Sequence, residues 1–383
     1  MEKRQIDNLM NPAPRNYELD AIKFLFTGLI FLHHTCAFIG ENTRFTLPMR
    51  FGTISVHFFF VVSGLLMANS ILEKVQAGRQ VGRQAIGYVL KKFKAMIGVI
   101  SASILIKACI YLFIYLPIDP SLRGQLDERN PIITLLTGLF SEWLGVALSG
   151  LYILRDPTWQ ISAMLITMLP LAYLLLKKPD FTLYVFSPLA CVLLLGYMAQ
   201  SNGFTFLGHY TLYGVCMGGL IRATCGLCAG ICAYTICCKV KELGFNKKLR
   251  ILLTMAEVAL YLIFFGVWFF AESPKAIMLI TLVLPVVLAI TFSGKSYLKC
   301  LFCSKWMKYL APLSLYIYLN HWGSMYIVAA YYSGRSYKFC TAMMVIFTLI
   351  CCLLCWILVT GGRTVWQKRL KPFLLSDRSG CDK

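Results

Sequence analysis

Runs of roughly twenty apolar residues recur along the whole chain, and they constrain it more than any other feature. They fall at 20–39, 54–72, 96–116, 159–176, 181–199, 209–236, 251–270, 275–292, 310–332 and 339–360. As a helix, each is long enough to cross a hydrocarbon core of about 30 Å. A backbone in such a core has to satisfy its polar groups internally, which leaves helices or closed barrels. No strand alternation of the barrel kind is present. The chain has 383 residues, of which 58% are hydrophobic and 14% charged. A soluble domain of that length cannot cover so much apolar surface. The expected fold is an all-α, polytopic membrane bundle of about ten transmembrane helices.

Charge then orients the bundle. Thirty-seven Lys and Arg stand against 17 Asp and Glu, a net charge of +20. In a soluble protein this excess suggests nucleic acid. Here most of it lies in short loops between apolar runs, which is the positive-inside signal and points to a lipid bilayer as partner rather than nucleic acid. The loops 73–95, 239–250 and 294–308, Lys177-Lys178 and the tail all land on one side if the apolar stretch 132–150 is re-entrant or lies at the outer surface. On this reading residues 1–19 are a cytoplasmic leader, 20–360 a membrane domain and 361–383 a basic cytoplasmic tail. Both termini are cytoplasmic in a multi-pass protein of the cell membrane. The first run follows a polar, basic leader and carries two histidines where a cleavage site would lie, so it reads as a retained span.

Ionisable residues inside such runs are expensive, and they are functional candidates for that reason. The first run holds Asp20 and Lys23 at its start and His33 and His34 near its end. In a helix, Lys23 and His34 are separated by roughly 16 Å of rise. The second run holds His57 and the pair Ser63-Gly64. The connecting loop is short, so the two spans are expected to be neighbours, with three imidazoles sharing one outward-facing pocket. A neutral imidazole takes a proton from a hydroxyl near pH 7; the bland alternative is interfacial snorkelling. Lys23, Lys91, Lys92 and Lys94 form a basic group suited to a phosphate-bearing ligand. Positive-inside anchoring accounts for Lys91 and Lys92 equally well, and Asp20 lies one turn from Lys23 and can pair with it. Arg222 stands mid-run, with Glu257 as a possible counter-charge. Gly214, Gly218, Gly226 and Gly230 fall at multiples of four and suit close helix packing. Trp159 reads as an interfacial anchor, and His321 is open between packing and function. Most of the 16 cysteines sit in apolar runs and read as packing residues. Cys225-Gly-Leu-Cys228 and Cys300-Leu-Phe-Cys303 have no matching second pair, so no metal is expected. Walker, Gly-x-Ser-x-Gly, dinucleotide and HExxH patterns are absent.

These residues resemble acyltransferase family three, integral-membrane enzymes that acylate cell-surface glycans. The family carries a cation, ten residues, then a histidine in its first span; Lys23 and His34 have that spacing, preceded by Asp20. Its second-span pattern is matched by Val56 to Leu66, which includes His57, Phe58-Phe59-Phe60 and Ser63-Gly64. Its third-span basic pair is matched by Lys91 and Lys94, its Trp-x-x-Ser motif by Trp159 to Ser162, and its late Ser-Leu-Tyr-x-Tyr-Leu-x-His by Ser314 to His321. One departure is that many members have a glutamate shortly after the Trp-x-x-Ser motif, where Ala163-Met164 stand here. Glu142 is the candidate replacement.

The resemblance implies a cytoplasmic acyl-CoA donor, acetyl-CoA first, and an extracytoplasmic polysaccharide or other envelope glycan as acceptor. Polysaccharide-assembly proteins are implied as possible partners, because the family's usual soluble esterase-like module is not in this sequence. It assigns catalysis to His34, Asp20, Lys23 and His57, and donor binding to Lys91, Lys94 and Ser63; Arg222, as a mid-run cation, is read beside them as a donor-binding group that stabilises negative charge on the acyl oxygen. His34 is then a general base or a transient acyl carrier. The rival reading is a transporter or flippase for a charged surface precursor, using the same buried ionisable set. The sequence shows no internal repeat of that kind.

Overall fold

In the computed structural model the described residues are 16–39, 53–73, 80–115, 117, 158–201, 211–212, 216–244, 246–270, 274–302, 307–332 and 334–365. They form α1 (Tyr17–Ile39), α2 (Thr53–Leu72), α3 (Val81–Ile110, continued by a π-turn at Tyr111–Tyr115) and α4 (Thr158–Lys177). α5 runs from Pro179–Phe181 through a π-turn at Thr182–Phe186 into Ser187–Ser201. A two-residue antiparallel pairing, β1 (Thr211–Leu212) with β2 (Cys216–Met217), leads into α6 (Gly218–Glu242). The chain continues through α7 (Lys247–Phe270), α8 (Pro274–Ser293), the short α9 (Leu298–Leu301), α10 (Met307–Tyr332) and α11 (Tyr337–Val365).

Seven of these helices are long and apolar enough to cross a membrane. α1, α8 and α10 coincide with the remaining expected spans. The all-α polytopic bundle is therefore as expected. The segment 132–150, Glu142, and most of the leader and tail lie outside the described residues.

α6 is the axis of the bundle. Its Cys225, Leu227, Cys228, Ile231, Ala233 and Cys237 are all fully buried, as expected of a helix that is apolar all round. α2 packs against it at a distance only glycine permits. A methyl on Gly64 would strike the Leu227 backbone carbonyl, and one on Gly230 would strike the Val61 carbonyl and the Leu65 nitrogen. Small residues at such crossings let backbones approach where no hydrophobic force drives association. Gly226 and Gly230 thus serve the packing role read from their spacing.

α7 shows the opposite pattern. Only Glu257, Phe264 and Trp268 are buried on it, while Leu252, Met255, Leu262, Ile263 and Phe270 face outward, the surface a bilayer covers. Its buried edge joins the α1–α2 contact, where Phe26 stacks on Phe58 at 3.8 Å between centroids. The first two spans are neighbours, as the short connection between them implied.

α1 begins on a cap. The Leu19 N–H donates to Asn16 Oδ1 at 3.0 Å, and Asn16 Nδ2 reaches the Thr291 carbonyl on α8 at 3.3 Å. Glu18 and Asp20 fall in the first turn, where negative charge meets the positive end of the helix dipole. Glu18 is buried here within electrostatic range of Glu257 and Lys299. Glu257 accepts a hydrogen bond from Thr291, whose oxygen also lies 2.9 Å from the Tyr261 hydroxyl. The counter-charge reading of Glu257 is corrected accordingly: it serves the entrance of α1, and its described partners are not Arg222.

Candidate functional site

The two ends of α1 present different chemistry. At the first, Lys23 pairs with Asp20 at 3.6 Å, the predicted one-turn contact. Lys23 also lies within electrostatic range of Lys92 on α3. Lys92 lines a cleft of about 1050 Å³ between α2, α3 and α4, together with Arg83, Gln84, Tyr88, Lys91 and Ser70. The α3 residues of this cleft recur every three or four positions, so one helical face forms its wall. The Lys92 ammonium stands 5.7 Å over the Tyr88 ring. Of the two basic residues taken for donor binding, Lys91 lines the cleft; Lys94 is exposed and is not among its lining residues. Lys92 and Arg83 complete the basic wall.

At the other end, His34 is the centre of a ring cluster. Its imidazole lies 5.0 Å from His33, 5.1 Å from His321 and 5.2 Å from the Trp322 ring, centroid to centroid. His321 and Trp322 belong to α10, which packs along α1. His34 is half-buried and His321 fully buried, so His34 stands in front.

The tautomer of His321 follows from its neighbours. Its Nδ1 lies 2.7 Å from the Tyr318 carbonyl oxygen. A carbonyl accepts only, so Nδ1 carries the proton and Nε2 the lone pair. That Nε2 is buried with no hydrogen-bond partner among the described residues.

α3 closes the back of the cluster. Ser103 Oγ donates to the Leu319 carbonyl at 2.9 Å, and one turn later comes Lys107. Lys107 is fully buried, within electrostatic range of His321 and Cys355. Its stem lies where α10 has Gly323, and a Cβ there would come within 3.3 Å of Lys107 Cγ. One turn further, Tyr111 meets Tyr326 at 5.6 Å. Residues four apart share a helix face, so Ser103, Lys107 and Tyr111 form a single seam against α10.

His57 and Arg222 form a second wall. Both are buried, and the Arg222 charge is felt at His57 and at the Tyr318 hydroxyl. His57 lies against α6, with Cε1 3.3 Å from where a Cβ on Gly226 would stand. The Tyr318 ring is 6.2 Å from His321 and links this wall to the cluster. Of the expected trio of His33, His34 and His57, the first two stand together at 5.0 Å between centroids. His321, brought by α10, takes the third place against His34, and the described neighbours of His57 are Arg222 and the glycine face of α6. Ser63 is half-buried on α2, beside the Gly64 crossing.

Gln160 donates to the Val56 carbonyl at 3.2 Å, and Trp159 packs on Phe60 at 6.4 Å between centroids. The Trp-x-x-Ser segment therefore braces α2 from α4, and Trp159 is a packing residue of this contact.

Lys107, Trp322 and Arg83 were not singled out by sequence. Lys107 was detectable, because a cation in the middle of an apolar run is costly anywhere. Trp322 had no such signal, since an aromatic next to a histidine is ordinary core composition.

Comparison with models of protein families matches residues 16–360 to an acyltransferase domain, that of acyltransferase family 3. No curated protein and no solved structure matches the chain. A match over nearly the whole chain, on a helical bundle with ionisable residues held inside it, has one consequence: the chain belongs to acyltransferase family 3 and is a membrane acyltransferase.

Proposed function

We propose that the protein moves an acyl group, acetyl first, from cytoplasmic acyl-CoA to a hydroxyl of an extracytoplasmic polysaccharide or other envelope glycan. The observation that carries this reading is α1 itself. It joins a wide basic cleft at the Lys23 end to a buried imidazole cluster at the His34 end.

The cleft suits the phosphates of the coenzyme. Arg83, Lys91 and Lys92 supply charge along one helical face, and Lys23 stands behind them, held by Asp20. A long, thin pantetheine arm carries the thioester inward from there. This spans the roughly 16 Å of rise that separates Lys23 from His34 on the helix.

At the far end His34 takes the proton of the acceptor hydroxyl as general base. His321 backs the ring, and its own ring is fixed by the Tyr318 carbonyl. Arg222, His57 and Tyr318 form the polar wall opposite. Ser63 lies on the α2 side of the path. Both termini are cytoplasmic in this arrangement, and the α6–α7 connection at Lys247-Lys248 faces the same compartment.

The test uses the full-length protein in lipid nanodiscs with acetyl-labelled acetyl-CoA and envelope glycan fragments. Label should appear on glycan hydroxyls, and surface glycans of cells lacking the protein should lose one class of O-acetyl group. A protein that leaves the label on coenzyme A but moves a glycan precursor across vesicles would be a transporter instead.

A further inference from the structure

One buried donor in the histidine cluster has no acceptor among the described residues. It is the indole Nε1–H of Trp322, sealed from solvent. Indole nitrogen is a donor only, and a buried tryptophan N–H usually finds a partner. Leaving one bare is unfavourable. The ring packs against the apolar cluster that contains Phe31, Met325, Val328, Cys340 and Met344. It lies 5.2 Å from His34 and 6.2 Å from His321, centroid to centroid.

Acyl transfer needs a donor in such a place. When a hydroxyl adds to a thioester, negative charge collects on the carbonyl oxygen. A donor already fixed at that oxygen stabilises the charge without reorganising. It has to lie beside the base, because base and carbonyl meet at the attacking oxygen. Arg222 stands on the other wall, where its charge is felt at His57 and at the Tyr318 hydroxyl.

We infer that the Trp322 Nε1–H binds the acyl carbonyl oxygen and stabilises its negative charge during transfer. This rests on the acyl-CoA reading above. The acceptor oxygen bonds to the carbonyl carbon while its proton passes to His34. The electron pair moves onto the carbonyl oxygen, held by the indole N–H. Collapse breaks the carbon–sulfur bond, and His34 returns the proton to the thiolate. The products are the ester and the free coenzyme thiol.

The experiment replaces Trp322 in two ways. Trp322→Phe removes the N–H and shrinks the ring. Benzothienylalanine, introduced at the same position by stop-codon suppression, keeps the bicyclic shape and puts sulfur in place of N–H. In nanodiscs with acetyl-CoA, kcat of the isostere should fall by about 100-fold. KM for acetyl-CoA should stay within about twofold, because a contact made only in the transition state leaves ground-state binding alone. The melting temperature should hold or rise, because an unpaired buried donor is removed. A structural tryptophan predicts the same stability with undiminished kcat, and that result for the isostere overturns the assignment even if Trp322→Phe fails to fold. If the unaltered protein turns over no acyl-CoA, the donor reading fails by itself. The same variants are then scored by O-acetylation of surface glycans in cells, where unchanged acetylation by the isostere again overturns the role of Trp322.

Discussion

The cleft beside Lys23 and the cluster around His34 are built on opposite principles. The cleft is open, lined by flexible cationic side chains on one face of α3, and held by a partly exposed ion pair. The cluster is closed, made of rigid rings, and fixed by backbone carbonyls and glycine contacts. Flexible cations in water recognise charge over distance, whereas rigid groups away from water hold a reacting centre in one geometry. A region that binds a bulky anion and a region that performs a transfer should differ in this way. Substitutions should therefore separate them kinetically.

The largest effect is expected at the cluster. His34→Gln should lower kcat by about 100-fold to 10,000-fold, the usual contribution of a general base, with KM for acetyl-CoA little changed. Equal kcat would remove His34 from the reaction and with it the division of labour. Lys107→Met comes next. It removes a fully buried charge beside His321. Removing one buried charge lowers stability where it leaves a partner behind, so the melting temperature is measured alongside. kcat should fall by about tenfold, since one charge near the reacting atoms is lost. A lowered melting temperature with normal kcat would make Lys107 purely structural.

The cleft should answer in KM. Arg83→Gln, Lys91→Gln and Lys92→Gln together should raise KM for acetyl-CoA by about tenfold or more with kcat preserved, and should flatten its dependence on salt. A fall in kcat alone would mean that the two regions are not separable. The smallest effect belongs to Asp20→Asn. Its ion pair with Lys23 is partly exposed, and such pairs contribute about 1 kcal/mol at most. KM should change by less than about fivefold.

The two regions also differed in how far they were legible from the residues alone. The Lys23–His34 spacing and the Asp20 contact lie within one helix, so helix geometry predicts them. The cleft was half legible. Lys91 was chosen with Lys94, yet positions 84, 88, 91, 92 and 95 share a face that leaves Lys94 outside. The 3.6-residue period contained that distinction. The cluster was less accessible. Nothing in linear order says that α10 lies against α1, so His321 could not be joined to His34 and Trp322 carried no signal. The contact of His57 with α6 was hidden for the same reason: it joins residues about 170 apart, where Gly226 leaves room for the imidazole. Close approach of helices is decided by which small residues meet, and that is a pairwise property rather than a property of either segment.

The length of α3 has a consequence for the membrane around it. The helical stretch Val81–Ile114 has 34 residues, roughly 50 Å at the rise of an α-helix. A hydrocarbon core of about 30 Å takes up only part of that. Arg83, Tyr88, Lys91 and Lys92 lie in the first half of that stretch, so a surplus at its Val81 end would put the cleft level with lipid headgroups. Anionic phospholipids present the same phosphate chemistry at high local concentration, so they compete for the cleft. KM for acetyl-CoA should climb as phosphatidylglycerol replaces phosphatidylcholine in the nanodisc, and the climb should vanish when Arg83, Lys91 and Lys92 are neutralised. The bilayer would then act as a reversible brake on donor entry, with its strength set by headgroup composition.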